Sequence, residues 1–195
     1  MITLPFQDPN PYHPTHSQLV LLFVFSLILG VFSFSIAQPA VVGKKEIVVF
    51  DTGISLYDYL RILSQIRVDE WGNLLVGMMG AGFREEFIHR FILFRILFLE
   101  TLRLPFPVAL TLSSILFGIM HYGNLILLGN KMILKAVSFQ VCGATIMGFL
   151  LGYLYYYTNN ILFVMLLHGT YDFIVGVNTT VLERYAAEQK QKKPT

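Results

Sequence analysis

The chain is poor in charge. Asp, Glu, Lys and Arg make up 13% of its 195 residues, about half the share in a soluble domain. With 55% of residues in the hydrophobic set, too little polar surface remains to cover a water-soluble globule. That excludes disorder and an ordinary cytosolic enzyme. Cysteine is nearly absent: Cys142 stands alone, which excludes a disulfide framework and a cysteine-rich zinc site. The net charge of +2 is too small to mark a nucleic-acid partner. No Lys or Arg precedes the first apolar run, and that run is longer than the apolar region of a usual signal peptide. Despite the cleavage-like Ser35-Ile36-Ala37, a retained anchor is expected. No internal repeat is visible. These absences leave a small integral membrane protein.

A bilayer core of about 30 Å takes roughly 20 apolar residues as helix. Five stretches qualify: Leu19–Ala37, Asn73–Leu102, Phe106–Leu128, Met132–Tyr157 and Ile161–Val181. Turn-forming residues separate the last four, at Leu104-Pro105-Phe106-Pro107, Gly129-Asn130-Lys131 and Thr158-Asn159-Asn160. Between Val41 and Trp71, Ile54, Leu56, Tyr57, Leu60, Ile62, Leu63 and Ile66 alternate with Asp58, Arg61 and Arg67. This pattern predicts an amphipathic helix lying in the interface. The Pro-containing stretch up to Ser17 is expected to be irregular, and the basic tail from Arg184 to fray. The expected fold is all-α, a polytopic bundle of about five transmembrane helices with one interfacial helix. It divides into an anchor and interfacial segment (1–72), a catalytic bundle (73–182) and a basic cytoplasmic tail (183–195). Ten Lys and Arg fall in the three segments on one side of the five-span topology, and Arg103 alone on the other. By the positive-inside rule, the C-terminus is cytoplasmic and the N-terminus outside.

Against this apolar background, several ionisable residues stand inside spans. They are Arg84, Glu85, Glu86, His89, Arg90 and Arg95 in the second, His121 in the third, and His168 and Asp172 in the fifth. Each costs about 2.5–3.5 kcal/mol on insertion scales, so each needs a partner or a function. Glu86 and Arg90 are four apart and can pair on one helix face, as can His168 and Asp172. Glu85 lies about 100° around from Glu86 and faces a different neighbour. At about 1.5 Å rise per residue, Glu85, His121, His168 and Asp172 fall in one layer, roughly 11–20 Å from the cytoplasmic helix ends. Small residues form further stripes. Ala144, Gly148 and Gly152 in the fourth span, and Gly77, Gly80 and Ala81 in the second, are expected to pack helices inside the bundle. Tyr153, Tyr155, Tyr156 and Tyr157 suit an interfacial aromatic belt.

The polar residues fall into three patterns. Glu85-Glu86-Phe87-Ile88-His89-Arg90 fits EExxxR, Phe117-Gly118-Ile119-Met120-His121 fits FxxxH, and His168-Gly169-Thr170-Tyr171-Asp172 fits HxxxN/D. In this order, each on its own span, they resemble the CPBP (Abi) family of CAAX-protease and bacteriocin-processing intramembrane endopeptidases. The resemblance runs from about Leu74 to Val177. It implies a site inside the bundle in which Glu85 activates water with help from His121. His168 and Asp172 would bind the oxyanion or orient the water, and Glu86, Arg90 and Phe117 would support them. Many members carry Asn where this chain has Asp172. An ionised Asp cannot donate a hydrogen bond, so orienting His168 is the role that suits it.

Two mechanisms remain open at this point. Glu85, His121 and His168 could hold zinc with one position left for water, although no HExxH occurs. Alternatively, no cofactor is required and a desolvated glutamate serves as general base. The substrate would be a peptide or membrane protein presented in the bilayer. Two readings from other classes compete: a proton-coupled transporter, because buried Glu and His also form proton relays, and a catalytically silent scaffold in which the polar layer only specifies packing. Five spans without an inverted repeat speak against the transporter.

Overall fold

The computed structural model describes residues 15, 17–21, 23–24, 54–123 and 133–191, with side chains in the last stretch from Val137 onward. Among them the regular structure is entirely helical. Most of the first expected span, the Gly129-Asn130-Lys131 turn and the last four residues lie outside the described residues. Phe23, in the described part of that first span, meets Phe163 edge-on at 6.2 Å.

Six elements follow one another: α1 (Leu56–Ser64), α2 (Val68–Glu86), α3 (Phe87–Thr101), α4 (Phe106–Met120), α5 (Ile133–Thr158) and α6 (Ile161–Gln191). Local sequence explains most of their ends. Ser55 caps α1 by accepting from the Asp58 amide at 3.0 Å. Glu70 turns back onto the amide of Arg67 at 2.8 Å and starts α2. Pro105 and Pro107 stand where α4 begins and backbone donors are not needed. Between α5 and α6 the chain reverses at Asn159, whose φ of 50° suits Asn better than most side chains. Asn160 then accepts from the Phe163 amide at 3.0 Å and caps α6.

The second expected span differs in its winding. It begins at Val68, and at Phe87 it passes without a break from α-helix into the 15-residue π-helix α3. Pairing by fives replaces pairing by fours: Leu102 N–H reaches Leu97 O at 2.8 Å, and Thr101 Oγ1 reaches Ile96 O at 2.8 Å. The ion pair Arg95–Glu100, at 3.0 Å, joins residues five apart for the same reason. Arg95 also donates to Asn159 and so ties α3 to the α5–α6 turn.

Among the described residues, two helices are long and apolar enough to cross a membrane, Val137–Thr158 within α5 and Ile161–Gln191, while Phe106–Met120 is apolar but shorter. α2 packs chiefly on α6, and α4 on α5. Phe94, Phe98, Leu110, Leu151, Leu154, Tyr155, Val164 and Leu167 fill the core between α3, α4, α5 and α6. Tyr155, expected in an interfacial belt, is buried in this core, whereas Tyr153 is exposed. Gly148 and Gly152 do lie against α4, facing Ser114 and Leu110. A Cβ on Gly77 or Gly80 would meet nothing within 4 Å among the described residues. Their neighbour Gly82 makes the close approach instead.

The interfacial helix is shorter than its sequence pattern and is docked. Ile62 and Ile66 bury against Val181 of α6, with Trp71 and Tyr185 alongside. Polar bridges surround this contact: Arg61 to Glu188 at 2.6 Å, Arg184 to Glu70, and Tyr59 to Asn178. They explain why the tail does not fray at Arg184. α6 runs on to Gln191, with no break between residues 182 and 183.

The Arg67 amide and the Arg184 guanidinium hold the Glu70 carboxyl below its ordinary value. A depressed folded pKa gives stability that is complete above the unfolded value of about 4.3 and is lost as pH falls through the folded one. The thermal midpoint in detergent should therefore fall more steeply on acidification below about pH 4 for the wild type than for Glu70→Gln. Parallel pH curves for the two would show that the bridge adds nothing.

Candidate active site

Glu86 is the last α-helical residue before the winding changes, and it is fully buried. One turn on, Arg90 is equally buried, with Nε 3.1 Å from Glu86 Oε2. The other carboxylate oxygen accepts from His168 Nδ1 at 2.9 Å. A carboxylate accepts only, so Nδ1 of His168 carries a proton. Its Nε2 lies 3.5 Å from Asp172 Oδ2, one turn further along α6. That contact is too long for a good hydrogen bond, but it orients the ring. His168 is thus held between two carboxylates from different helices, Glu86 on α2 and Asp172 on α6.

A close helix crossing makes these contacts reachable. A Cβ on Gly82 would lie 2.6 Å from Gly169 N and 2.8 Å from Gly169 Cα, backbone that cannot step aside. On the other side, a Cβ on Gly169 would lie 3.0 Å from Met79 Cα. The bare backbones of α2 and α6 therefore touch one turn before Glu86 and one residue after His168. Side chains on both helices can then bridge at hydrogen-bond length.

Phe117 on α4 is the shelf for the site. Its ring meets His89, His121 and His168 edge-on, with centroids at 5.1, 5.2 and 5.7 Å. The Arg90 guanidinium carbon lies over the same ring, 4.7 Å from its centroid, a cation–π contact in a dry setting. His121 follows the last residue of α4, half-buried, with Nδ1 donating to Phe117 O at 2.9 Å. Its Nε2 has no partner among the described residues.

The sequence-derived residues are therefore not all joined in the same way. Glu86, Arg90, Phe117, His168 and Asp172 form one contact network, and His121 enters it through Phe117. Glu85 is half-buried, and its carboxylate makes no hydrogen bond or ion pair among the described residues. Its charge acts on Arg90, His168 and Asp172 across the site. His89 stands out in the sequence as an ionisable residue inside a span, but it lies between motif positions and takes no role from them. It is 2% exposed and donates from Nδ1 to the Glu85 carbonyl at 2.9 Å.

Among the described residues, no three His, Cys, Asp or Glu side chains are grouped to hold a metal ion. As placed, Glu85, His121 and His168 do not fit zinc, which would draw ligand atoms to about 2.0–2.2 Å from one ion.

The geometry is a buried polar cluster between apolar helices, with a carboxylate and an imidazole nitrogen at its edge that have no partner among the described residues, an arrangement compatible with a membrane-embedded hydrolase. The family profile described as type II CAAX prenyl endopeptidase, Rce1-like, matches residues 67–174, and the chain belongs to this family of proteases. The match takes in every residue of the cluster from Gly82 to Asp172. No curated protein and no solved structure matches the chain.

Proposed function

We propose that the protein is an intramembrane endopeptidase of the CAAX-protease type that hydrolyses a peptide bond with a glutamate-activated water. The observation that supports this reading best is the contrast between the two adjacent carboxylates. Glu86 is locked between Arg90 and His168, while the Glu85 carboxylate has no partner among the described residues and is available to water. Glu85 takes the proton of a water that His121 orients through Nε2, and the hydroxide adds to the carbonyl carbon. His168, carrying a proton on each ring nitrogen between the carboxylates of Glu86 and Asp172, donates from Nε2 to the developing oxyanion. The C–N bond then breaks, and Glu85 passes its proton to the leaving amine. Glu86 and Arg90 hold the His168 ring, and Phe117 excludes bulk water. No step runs through a metal, and no cofactor is required.

The catalytic unit in this reading is the bundle from 73 to 182 within a multi-pass protein of about five spans, with the C-terminus cytoplasmic. The substrate is a peptide or membrane protein whose scissile bond reaches the polar layer from the cytoplasmic side. The family's description makes a prenylated peptide ending in a CAAX tetrapeptide the first substrate to test.

Purified protein in proteoliposomes, given a farnesylated CAAX peptide in H2¹⁸O, should release the C-terminal tripeptide. One ¹⁸O should appear in the new carboxylate of the prenylated fragment, as mass spectrometry would read. Proton or solute flux without cleavage would favour the transporter. Neither cleavage of prenylated or unprenylated peptides nor flux would leave the scaffold.

A further inference from the structure

His89 is a buried histidine for which the proposed chemistry has no use. It lies at the entry to the π-helix, where backbone pairing passes from one register to the next. Its Nδ1 faces the carbonyl of Glu85 at 2.9 Å. A carbonyl only accepts, so Nδ1 carries the proton, and the neutral ring presents a bare nitrogen on its other side. That nitrogen, Nε2, lies 3.2 Å from Met120 Sδ, immediately before His121. A thioether has no hydrogen to donate, so this second contact is packing rather than a hydrogen bond. The ring edge rests on Phe117, whose carbonyl in turn receives His121 Nδ1–H.

Glu85 and His121 come from different helices, and no hydrogen bond joins them. His89 spans the gap: one side holds the backbone of Glu85, and the other is wedged against the Phe117–Met120 turn that presents His121. We propose that His89 is a positioning residue, a strut that fixes the Glu85 backbone against the end of α4 and so sets the separation of Glu85 from His121. The inference rests on the reading of those two residues as the water-activating pair. Misplacing a reacting group by about 1 Å can cost about 100-fold in rate, so a strut at this point has leverage that a filler of the same volume lacks.

Leu and Asn substitutions separate a strut from a filler. Leu fills volume without a donor, whereas Asn places an N–H near the position of Nδ1. With the farnesylated CAAX peptide, His89→Leu should lower kcat by about 100-fold and leave KM within about twofold. His89→Asn should recover kcat to within about tenfold of wild type.

A second measurement does not depend on activity. In a Cys142→Ser background, spin labels on Glu85→Cys and His121→Cys should give a narrow dipolar separation with His89. The separation should broaden with His89→Leu and narrow again with His89→Asn. Unchanged kcat and unchanged separation in His89→Leu would overturn the strut. So would equal losses in Leu and Asn variants that track a fall in thermal midpoint, because His89 would then only fill space. If the wild type fails to cleave, or Glu85→Gln cleaves normally, the catalytic reading fails. The spin-label separation still decides whether His89 is a strut.

Discussion

Glu85→Gln is expected to reduce kcat for peptide cleavage by about 10²–10⁴-fold, the usual contribution of a general base. The substitution keeps the shape of the side chain and its hydrogen-bonding span, but an amide cannot take a proton from water. Because the Glu85 carboxylate has no partner among the described residues, its replacement breaks no ion pair. The thermal midpoint in detergent should therefore stay near that of wild type. This separation of activity from stability distinguishes Glu85 from its neighbour. Glu86→Gln removes a charge that Arg90 and His168 both lean on, so it should lower activity and thermal midpoint together. Kinetics and melting curves of the two variants in one detergent check the assignment. Normal cleavage by Glu85→Gln would remove Glu85 from the chemistry.

The polar part of the site was legible in the sequence because charge inside an apolar span is costly and rarely left unexplained. The spacing of four became a contact between His168 and Asp172 on an α-helical turn, and between Glu86 and Arg90 across the junction where α-helix passes into π-helix. The same arithmetic could not foresee the partner across the bundle. That Glu86 rather than Glu85 meets His168 depends on how α2 and α6 cross. The crossing is set at Gly82 and Gly169, where the absence of a side chain lets the backbones touch. Gly77 and Gly80 looked equally small in sequence but make no such close approach among the described residues. Composition shows which residues allow close approach, not which face is used.

The π-helix was also hidden. Phe87–Thr101 is an ordinary apolar run by composition, and nothing in its residue types marks winding by fives. The one available hint was Arg95 and Glu100, opposite charges five apart, a spacing that an α-helix does not bring together. The polar end of α6 was misread for a related reason. Arg184 and Glu188 look like a solvated tail until α1, about 120 residues earlier in the chain, supplies Arg61 and Tyr59 alongside. His89 was visible as a costly ionisable residue but received no role, because it fits no motif position and the carbonyl it holds is not readable from sequence.

Arg90→Ala should be the most destabilising single substitution in the molecule, at about 3–5 kcal/mol. Both partners of the Glu86–Arg90 pair are fully buried. Their burial is itself costly: Nε, Nη1 and Nη2 of Arg90 and Oε2 of Glu86 make no hydrogen bond among the described residues, so the pair is held by charge alone. A buried pair of this kind need not be net stabilising against apolar replacements of equal volume. Removing one partner is a different matter, because it leaves Glu86 charged in a sealed, low-dielectric site with only His168 to answer it. It also strips the cation from the face of Phe117 and opens a cavity beside Gly152, which Arg90 Cδ packs against. The two causes can be separated. Arg90→Met fills most of the cavity but leaves the charge, so its thermal midpoint should stay well below wild type. Combining Arg90→Met with Glu86→Gln removes the uncompensated charge and should recover much of the loss, without restoring cleavage, because His168 would no longer face a carboxylate at Nδ1. If Arg90→Met alone were as stable as wild type, the charge at Glu86 would have to be met by something other than Arg90. The network that orients His168 would then have to be redrawn around that other group.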